Sequence, residues 1–517
     1  MAKGLTERKK KWIEKTVDND RRYKAIVYNR AFACIFFVLL QLAIFVTLLL
    51  LTDYGWIWQL VVGIVSVISV IYLEGREDRS PTKTLWIILL LIVPFVGLPL
   101  YLIYGDGKAV ALMKRRYKHA GNKVPALPSG VAEEGRAGGV SRLLEKFGYP
   151  TYADGDVTYY PTGKECFEAM KESLRRAEKY VLIEYFILSG GKMWNELLKL
   201  LLEKAEAGVQ VKIIYDDFGS IFCLPPHYAR YLESLHKNVR CLAFNKVYPI
   251  FTARYNHRDH RKIFIVDGKE AFTGGLNIAD EYIDEKKRFG YWKDTGIKIT
   301  GSAVASMART FFETWVAFKE PTLEVAPYLA AEPSKGGNAL IASCADSPLD
   351  RLQVCERVYL EIINRARDYL YITTPYLVLD DLLREALVLA ALRGVDVRIV
   401  TPGIPDKKAV YRLTRAHAEG LMKAGVRVYE YTPGFMHAKM TLSDGYAVVG
   451  STNYDYRSLY LHFENMVYFR DEKATAAVAE DFEQLFLVSK ECTPATMKRS
   501  FFGRLVDTVL RIFEPLL

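Results

Sequence analysis

The sequence predicts an α/β protein. Two copies of a mixed sheet flanked by helices pair about a pseudo-two-fold axis, behind an N-terminal transmembrane helical region. Three observations predict it. Long uncharged runs crowd the first 105 residues. After them, the order helix, strand, helix, strand occurs twice, at a spacing of about 180 residues, far longer than any solenoid repeat. And HRKIFIVDG, His260 to Gly268, is written again as HAKMTLSDG, His437 to Gly445.

At 517 residues the chain is too long for one domain core. Residues 1–30 carry ten Lys/Arg against four Asp/Glu, much of the formal net charge of +10, and read as a basic cytoplasmic N-terminus. Residues 31–105 hold three uncharged runs: Ala31 to Thr52, Tyr54 to Leu73 and Thr84 to Gly105. A helix needs about 20 apolar residues to cross the hydrocarbon, so each is long enough. The first two are joined by Asp53 alone and read as a helical hairpin. The third holds Pro94, Gly97 and Pro99, which favours a re-entrant segment over a full crossing. The positive-inside rule agrees, because a third crossing would export the basic run KAVALMKRRYK. This topology predicts a multi-pass membrane protein with its catalytic part on the cytoplasmic side.

Residues 106–148 are a basic linker containing the small, polar, Gly-rich stretch LPSGVAEEGRAGG. Its charge, with that of the N-terminus, suits an anionic surface, nucleic acid or phospholipid. The soluble halves follow at 149–330 and 331–492. In the first, helix GKECFEAMKESLRRAEKY leads to strand YVLIEYFIL, then helix MWNELLKLLLEKAEAG to strand VQVKIIYDDF. In the second, LQVCERVYLEIINRARDY, YLYITTPYLVL, DDLLREALVLAALRG and VDVRIVTPG repeat the order. Residues 493–517 form an amphipathic tail, with Phe501, Phe502, Leu505, Val506, Val509, Leu510 and Phe513 as its apolar stripe. That stripe fits a lipid interface or the protein's own core. The seven cysteines are scattered, without CxxC, and read as reduced core residues.

Each half closes on its nine-residue motif. His260 and Lys262 are two apart on a strand, so both face one way, and His437 and Lys439 repeat this. Asp267 and Asp444 end the motifs. The following turns supply Gly275 and Asn277, then Ser451 and Asn453. Lysine charges and asparagine donors suit a phosphate and the extra charge of its transition state. One imidazole can attack phosphorus while the other protonates the leaving oxygen. Each needs its second ring nitrogen held by an acid, and Asp294 and Glu464 are the candidates. His257 and His260 in NHRDH hint at a metal, but Lys262 would repel a cation, so none is expected. No P-loop or G-x-G-x-x-G stands out and no cofactor is expected, since exchange of one phosphodiester for another needs neither nucleotide energy nor redox.

These residues resemble the phospholipase D superfamily, whose mark is two HxKxxxxD motifs followed by a G-[GS]-x-N turn. With PFVGLPLYLIYG near the start and RIFEPLL at the end, the chain resembles a bacterial cardiolipin synthase of that superfamily. The resemblance implies a membrane-bound transferase that condenses two phosphatidylglycerols into cardiolipin and glycerol through a phosphatidyl-histidine. It implies phosphatidylglycerol and anionic lipids as partners, and no nucleic acid. It makes His260 the nucleophile and His437 the general acid and later base; the residues themselves fit either assignment. Alternatives are a hydrolase releasing phosphatidic acid and a catalytically silent scaffold. The second hairpin departs from the pattern: ten residues separate Asp267 from Asn277, nine separate Asp444 from Asn453.

Overall fold

The computed structural model describes residues 55–514 apart from 76–79, most of 93–107, 132–137, 248–255, most of 331–335, 351 and 498, with four isolated positions before residue 55. The basic stretch 1–30, nearly all of the run Ala31 to Thr52 with its turn, and most of the expected re-entrant segment lie outside the described residues.

Two sheets organise the rest. The strands β1 (Val157–Tyr160), β2 (Tyr180–Tyr185), β3 (Gln210–Asp216), β4 (Val239–Phe244), β5 (Lys262–Val266), β6 (Glu270–Gly274) and β7 (Gly296–Thr300) form the first, in spatial order β1-β7-β6-β5-β2-β3-β4. The strands β8 (Ala339–Asp346), β9 (Tyr369–Thr373), β10 (Asp396–Pro402), β11 (Arg427–Tyr431), β12 (Met440–Ser443), β13 (Tyr446–Gly450) and β14 (His462–Arg470) form the second, in order β8-β14-β13-β12-β9-β10-β11. Every strand of the first sheet therefore has its counterpart seven labels on. Directions match too. The pairs β2/β3 and β3/β4, like β9/β10 and β10/β11, are parallel; the other pairings are antiparallel. The second sheet gains edge strands at Tyr152–Gly155 and Ser489–Glu491.

Amphipathic helices cover the outer faces. Thr162 caps Gly163–Arg175 by accepting the Glu165 N–H, and that helix buries Cys166, Phe167, Met170 and Leu174 at helical spacing. With Lys192–Glu206 it packs on the outer face of the first sheet. Val354–Arg365 and Asp381–Leu392 cover the second sheet in the same way. The inner faces share one core, filled by Phe311, Phe312 and Trp315 of helix Ala303–Phe318 and by Val478 and Phe482 of helix Glu472–Val488.

Some sequence expectations need correcting. Each half holds a further helix and parallel strand before its motif: Tyr228–Leu235 with β4, and Lys408–Met422 with β11. The segment YLYITTPYLVL is not one strand, because Pro375, which has no N–H for the ladder, separates β9 from Leu377–Val378. The basic run is no linker but the helix Lys108–Lys123. It buries Val110, Met113 and Ala120 in the core, and the Tyr117 and Thr314 hydroxyls hydrogen-bond at 2.6 Å. Lys114, Arg115, Arg116 and Lys118 remain exposed on its other side.

Helix Gly55–Glu74 pairs with Ser80–Ile92 around Leu73, Trp86 and Leu90. Leu60, Ile64, Ile68, Ile71, Leu91 and Ile92 stay exposed on this pair. Counted over the described residues alone, no helix is long and apolar enough to cross a membrane.

Candidate active site

The motif strands β5 and β12 sit at the middle of their sheets, and a motif histidine stands two residues before β5 and three before β12. The backbone just ahead of each motif leaves its own sheet and pairs with the other half. Arg258–Asp259 runs parallel to the start of β14, and Gly434–Met436 runs parallel to Tyr291–Lys293. The backbone N–H of His260 then donates to the Phe463 carbonyl at 2.9 Å, and that of His437 to the Lys293 carbonyl at 2.8 Å. The residues after those carbonyls are Glu464 and Asp294.

Exchange of partners follows. His260 Nδ1 lies 2.9 Å from both carboxylate oxygens of Glu464, and His437 Nδ1 lies 2.5 Å from Asp294 Oδ2. Each histidine is thus held by the acid of the opposite half. Both acids are fully buried, whereas each imidazole keeps 10 % of its side chain accessible. With Nδ1 tied down, Nε2 is the nitrogen left to react. Lys262 Nζ donates to its own histidine's carbonyl, His260 O, at 2.6 Å, and Lys439 donates to His437 O in the same way.

Burial sets the charges. It holds His260 well below the usual imidazole range, reinforced by the ammonium groups of Lys262 and Lys439. It lowers His437 to about 4, with Lys439 adding to the shift and Asp294 opposing it. Burial also brings Lys262 down to about 7 and Lys439 to about 8, against the pull of Glu464 and Asp294. For Asp294 burial pushes upward, but the charge and hydrogen bond of His437, the charge of Lys439 and the Thr295 N–H outweigh it, and the acid ends below its ordinary value. The site therefore rests as two neutral imidazoles beside lysines that a phosphate would keep charged.

Asp267 and Asp444 do not join this cluster. Each stands at the far end of its motif strand, in the left-handed region (φ 54° and 43°), and caps backbone. Asp267 accepts from the N–H groups of Glu178, Lys179 and Tyr180, and Asp444 from those of Arg367, Asp368 and Tyr369. They fasten the chain entering β2 and β9 to the motif strand, so the catalytic role assigned to them is corrected to a clamp. The one-residue difference between the hairpins is absorbed here. Val266 pairs with Glu270 across a three-residue turn, and Ser443 with Tyr446 across two. Beyond the turn, Ser451 and Asn453 fall where Gly275 and Asn277 do.

Gly275 and Ser451 serve the acids. A side chain on Gly275 would bring its Cβ within 2.2 Å of Asp294 Oδ1, so the glycine makes room for that carboxylate. The Ser451 hydroxyl donates to Glu464 Oε2 and receives the Asn465 N–H at 2.9 Å. The Asn277 amide is engaged on both sides: Nδ2 donates to the Tyr282 hydroxyl at 2.7 Å and Oδ1 accepts from Ile187 N–H at 3.1 Å. Asn453 Nδ2 donates to Asp455 at 3.3 Å, and its buried Oδ1 has no hydrogen-bond partner among the described residues.

Sequence reasoning missed the aromatic walls Phe186, Tyr282 and Trp292, whereas the closeness of His462 to Glu464 marked it as local support for the site. Phe186 packs 5.1 Å from His260, and Tyr282 and Trp292 each lie 5.4 Å from His437, ring centre to ring centre. His462, at the place in the second half that Trp292 holds in the first, lies 5.5 Å from His260. Donor atoms of His260, His462 and Glu464 fall within 4.8 Å of one another and could hold a metal, although the charges of Lys262 and Lys439 that act on His260 oppose a cation there. Beneath His260, Arg261 is buried 3.6 Å from Glu184 and donates to the Thr314 hydroxyl at 3.0 Å. Glu184 had a signal in the sequence: it is the one charge in YVLIEYFIL.

The family model "Cardiolipin synthase, PLD-like domain" matches residues 170–315 and 359–486, which hold the two motifs. The chain is also 32 % identical over 513 residues to a cardiolipin synthase of Alkalihalophilus pseudofirmus, spanning 95 % of this chain and 100 % of that one. The chain belongs to the cardiolipin synthase family. A second model, "Phospholipase D-nuclease N-terminal", matches residues 61–105. The cardiolipin synthase family likeness extends to an uncharacterized protein of Streptococcus mutans, 39 % identical over 87 % of this chain and 99 % of its relative. The crystal structure of a phosphatidylserine synthase from Haemophilus influenzae superposes with a TM-score of 0.53 at 15 % identity, covering 73 % of this chain and 99 % of that one, a likeness of fold. This cardiolipin synthase family member is an enzyme of phospholipid synthesis built from duplicated phospholipase D-like α/β domains.

Proposed function

We propose that the protein condenses two phosphatidylglycerol molecules into cardiolipin and glycerol by a two-step phosphatidyl transfer. The observation that carries this reading is the crossed pairing of His260 with Glu464 and His437 with Asp294 beside Lys262 and Lys439. In the first step His260 Nε2 attacks phosphorus. The bond to the glycerol oxygen breaks, and His437, which takes up a proton on Nε2 when the anionic phosphate enters beside it, gives that proton to the oxygen as it leaves. In the second step His437 takes the proton from a hydroxyl of a second phosphatidylglycerol, whose oxygen attacks phosphorus and releases His260. The lysines carry the developing phosphoryl charge, and Asp294 and Glu464 stabilise the imidazolium forms. The nucleophile is assigned to His260 and the acid and base to His437, as the family resemblance implies. Gly275, Ser451, Asn277 and Asn453 shape the phosphate pocket from behind.

The functional units are the halves 149–330 and 331–492, carried by a membrane region within 31–105. The match of residues 61–105 and the exposed apolar side chains of Gly55–Glu74 support that anchorage, and Lys/Arg bias supports a cytoplasmic cleft. A site against the bilayer favours a lipid alcohol over water as acceptor.

The test supplies the purified protein with phosphatidylglycerol vesicles, without nucleotide or metal, and follows lipids by mass spectrometry. Cardiolipin and glycerol in equal amounts, lost in His260→Ala and in His437→Ala, are expected. Phosphatidic acid in their place would make the enzyme a hydrolase.

A further inference from the structure

The C-terminal helix Phe501–Ile512 is built inside out for a water-soluble protein. Its inward face carries Asp507 and, two residues past its end, Glu514; both are buried. Arg412 Nε meets Asp507 at 2.9 Å, its Nη2 meets the Gly503 carbonyl at 2.9 Å, and Arg499 Nη1 reaches Asp507 at 2.5 Å. His417 Nε2 lies 2.9 Å from Glu514. These contacts fix the helix on Lys408–Met422 in one rotational setting. The opposite face presents Phe501, Phe502, Leu505, Val509, Ile512 and Phe513, the first two 88 % and 71 % exposed. Arg504 and Arg511 are exposed beside that stripe. An amphipathic helix normally turns its apolar stripe inward. Here ion pairs hold the acids in, and the stripe and the exposed Arg504 and Arg511 point out.

We propose that this helix is a lipid-docking element. It lies in the headgroup layer of an anionic phospholipid bilayer, with Phe502, Leu505 and Val509 among the acyl chains and Arg504 and Arg511 on the phosphates. Its position ties docking to the cleft. Leu510 packs against a buried cluster of Val378, Val410, Leu413 and Tyr456, on which Tyr376 also packs; Tyr376 lies 6.5 Å from Phe435, and Phe435 lies 5.8 Å from His437. The helix thus connects to the reacting groups through that cluster and two aromatic rings, Tyr376 and Phe435. Only this link to the cleft rests on the lipid transferase reading; the polarity of the helix does not.

The experiment places a benzoylphenylalanine photocrosslinker at Phe502, Leu505 or Lys473 of the full chain, reconstituted into vesicles of phosphatidylglycerol and phosphatidylcholine. Expected are lipid adducts from positions 502 and 505 and none from 473, which sits on a distant exposed helix. Adducts to peptides of a second copy, or no adducts at 502 and 505, would overturn the proposal. In the second arm, Leu505→Asp with Val509→Asp should abolish the adduct at 502 and lower cardiolipin formation on vesicles by about tenfold, while activity in detergent micelles stays within about twofold. Equal activity of this variant on vesicles would overturn the tie to the cleft. Adducts without cardiolipin formation by any variant would leave the docking standing and refute the transferase reading instead.

Discussion

The two halves of the protein share a strand order, strand directions and a motif, yet they differ in the acid, in the residue that supports it and in the ring set against each histidine. The first half brings Asp294, with Gly275 leaving space for it and Trp292 against the histidine it serves. The second brings Glu464, with Ser451 bonded to it and His462 against its histidine. Because the acids are exchanged, the first half's apparatus acts on His437 and the second half's on His260. Duplication thus brings two imidazoles to one cleft in unequal surroundings.

The largest expected effect is also the least able to separate them. His260→Ala and His437→Ala should each lower transfer by about a thousandfold or more, measured as cardiolipin formed. A half-active single variant would break the idea that both halves serve one reaction. Next are the acids. Asp294→Asn and Glu464→Gln keep shape but lose the charge that orients and stabilises the imidazole, and each should cost about a hundredfold or more in kcat. Pairing follows from rescue: in His437→Ala, adding Asp294→Asn should cost little more, whereas adding Glu464→Gln should cost its full amount. The reverse pattern would contradict the crossed arrangement.

Smaller differences sharpen the comparison further. Gly275→Ala must push Asp294 aside and should reduce kcat about tenfold or more, while Ser451→Ala, which loses one hydrogen bond to Glu464, should cost less. In the free enzyme Lys262 and Lys439 deprotonate as pH rises through about 7 and about 8, so phosphate loses its partners and kcat/KM should fall above pH 7. Lys262→Arg, with a guanidinium that stays charged, should move that alkaline limb upward. Last, Asp267→Ala and Asp444→Ala each free three backbone N–H groups far from the cleft; each should lower stability by about 2 kcal/mol with kcat nearly unchanged, read from thermal melting beside an assay.

Much of this was legible in the sequence, because helical and strand periodicity is local and the motif repeats. Asp294 and Glu464 were recognisable as acids opening apolar runs. Their exchange was not, since it depends on Arg258–Asp259 and Gly434–Met436 crossing to the other half, and pairing across a duplication leaves no periodic trace. The role of Asp267 went astray because motif membership was read as membership of the site. Five strand residues carry the chain about 16 Å, which removes Asp267 from the lysine that shares its motif. The tail's stripe was visible too, but only the ion pairs of Asp507 and Glu514 decide which face it turns outward.

The central claim is that one site holds two histidines with separate tasks, His260 carrying the phosphatidyl group and His437 moving protons. The most direct measurement incubates the enzyme with phosphatidylglycerol, quenches it in alkaline denaturant to preserve a nitrogen–phosphorus bond, and maps the modified histidine by mass spectrometry. The account predicts a phosphatidyl group on His260, absent in His260→Ala. An adduct on His437, present in His260→Ala, would contradict it.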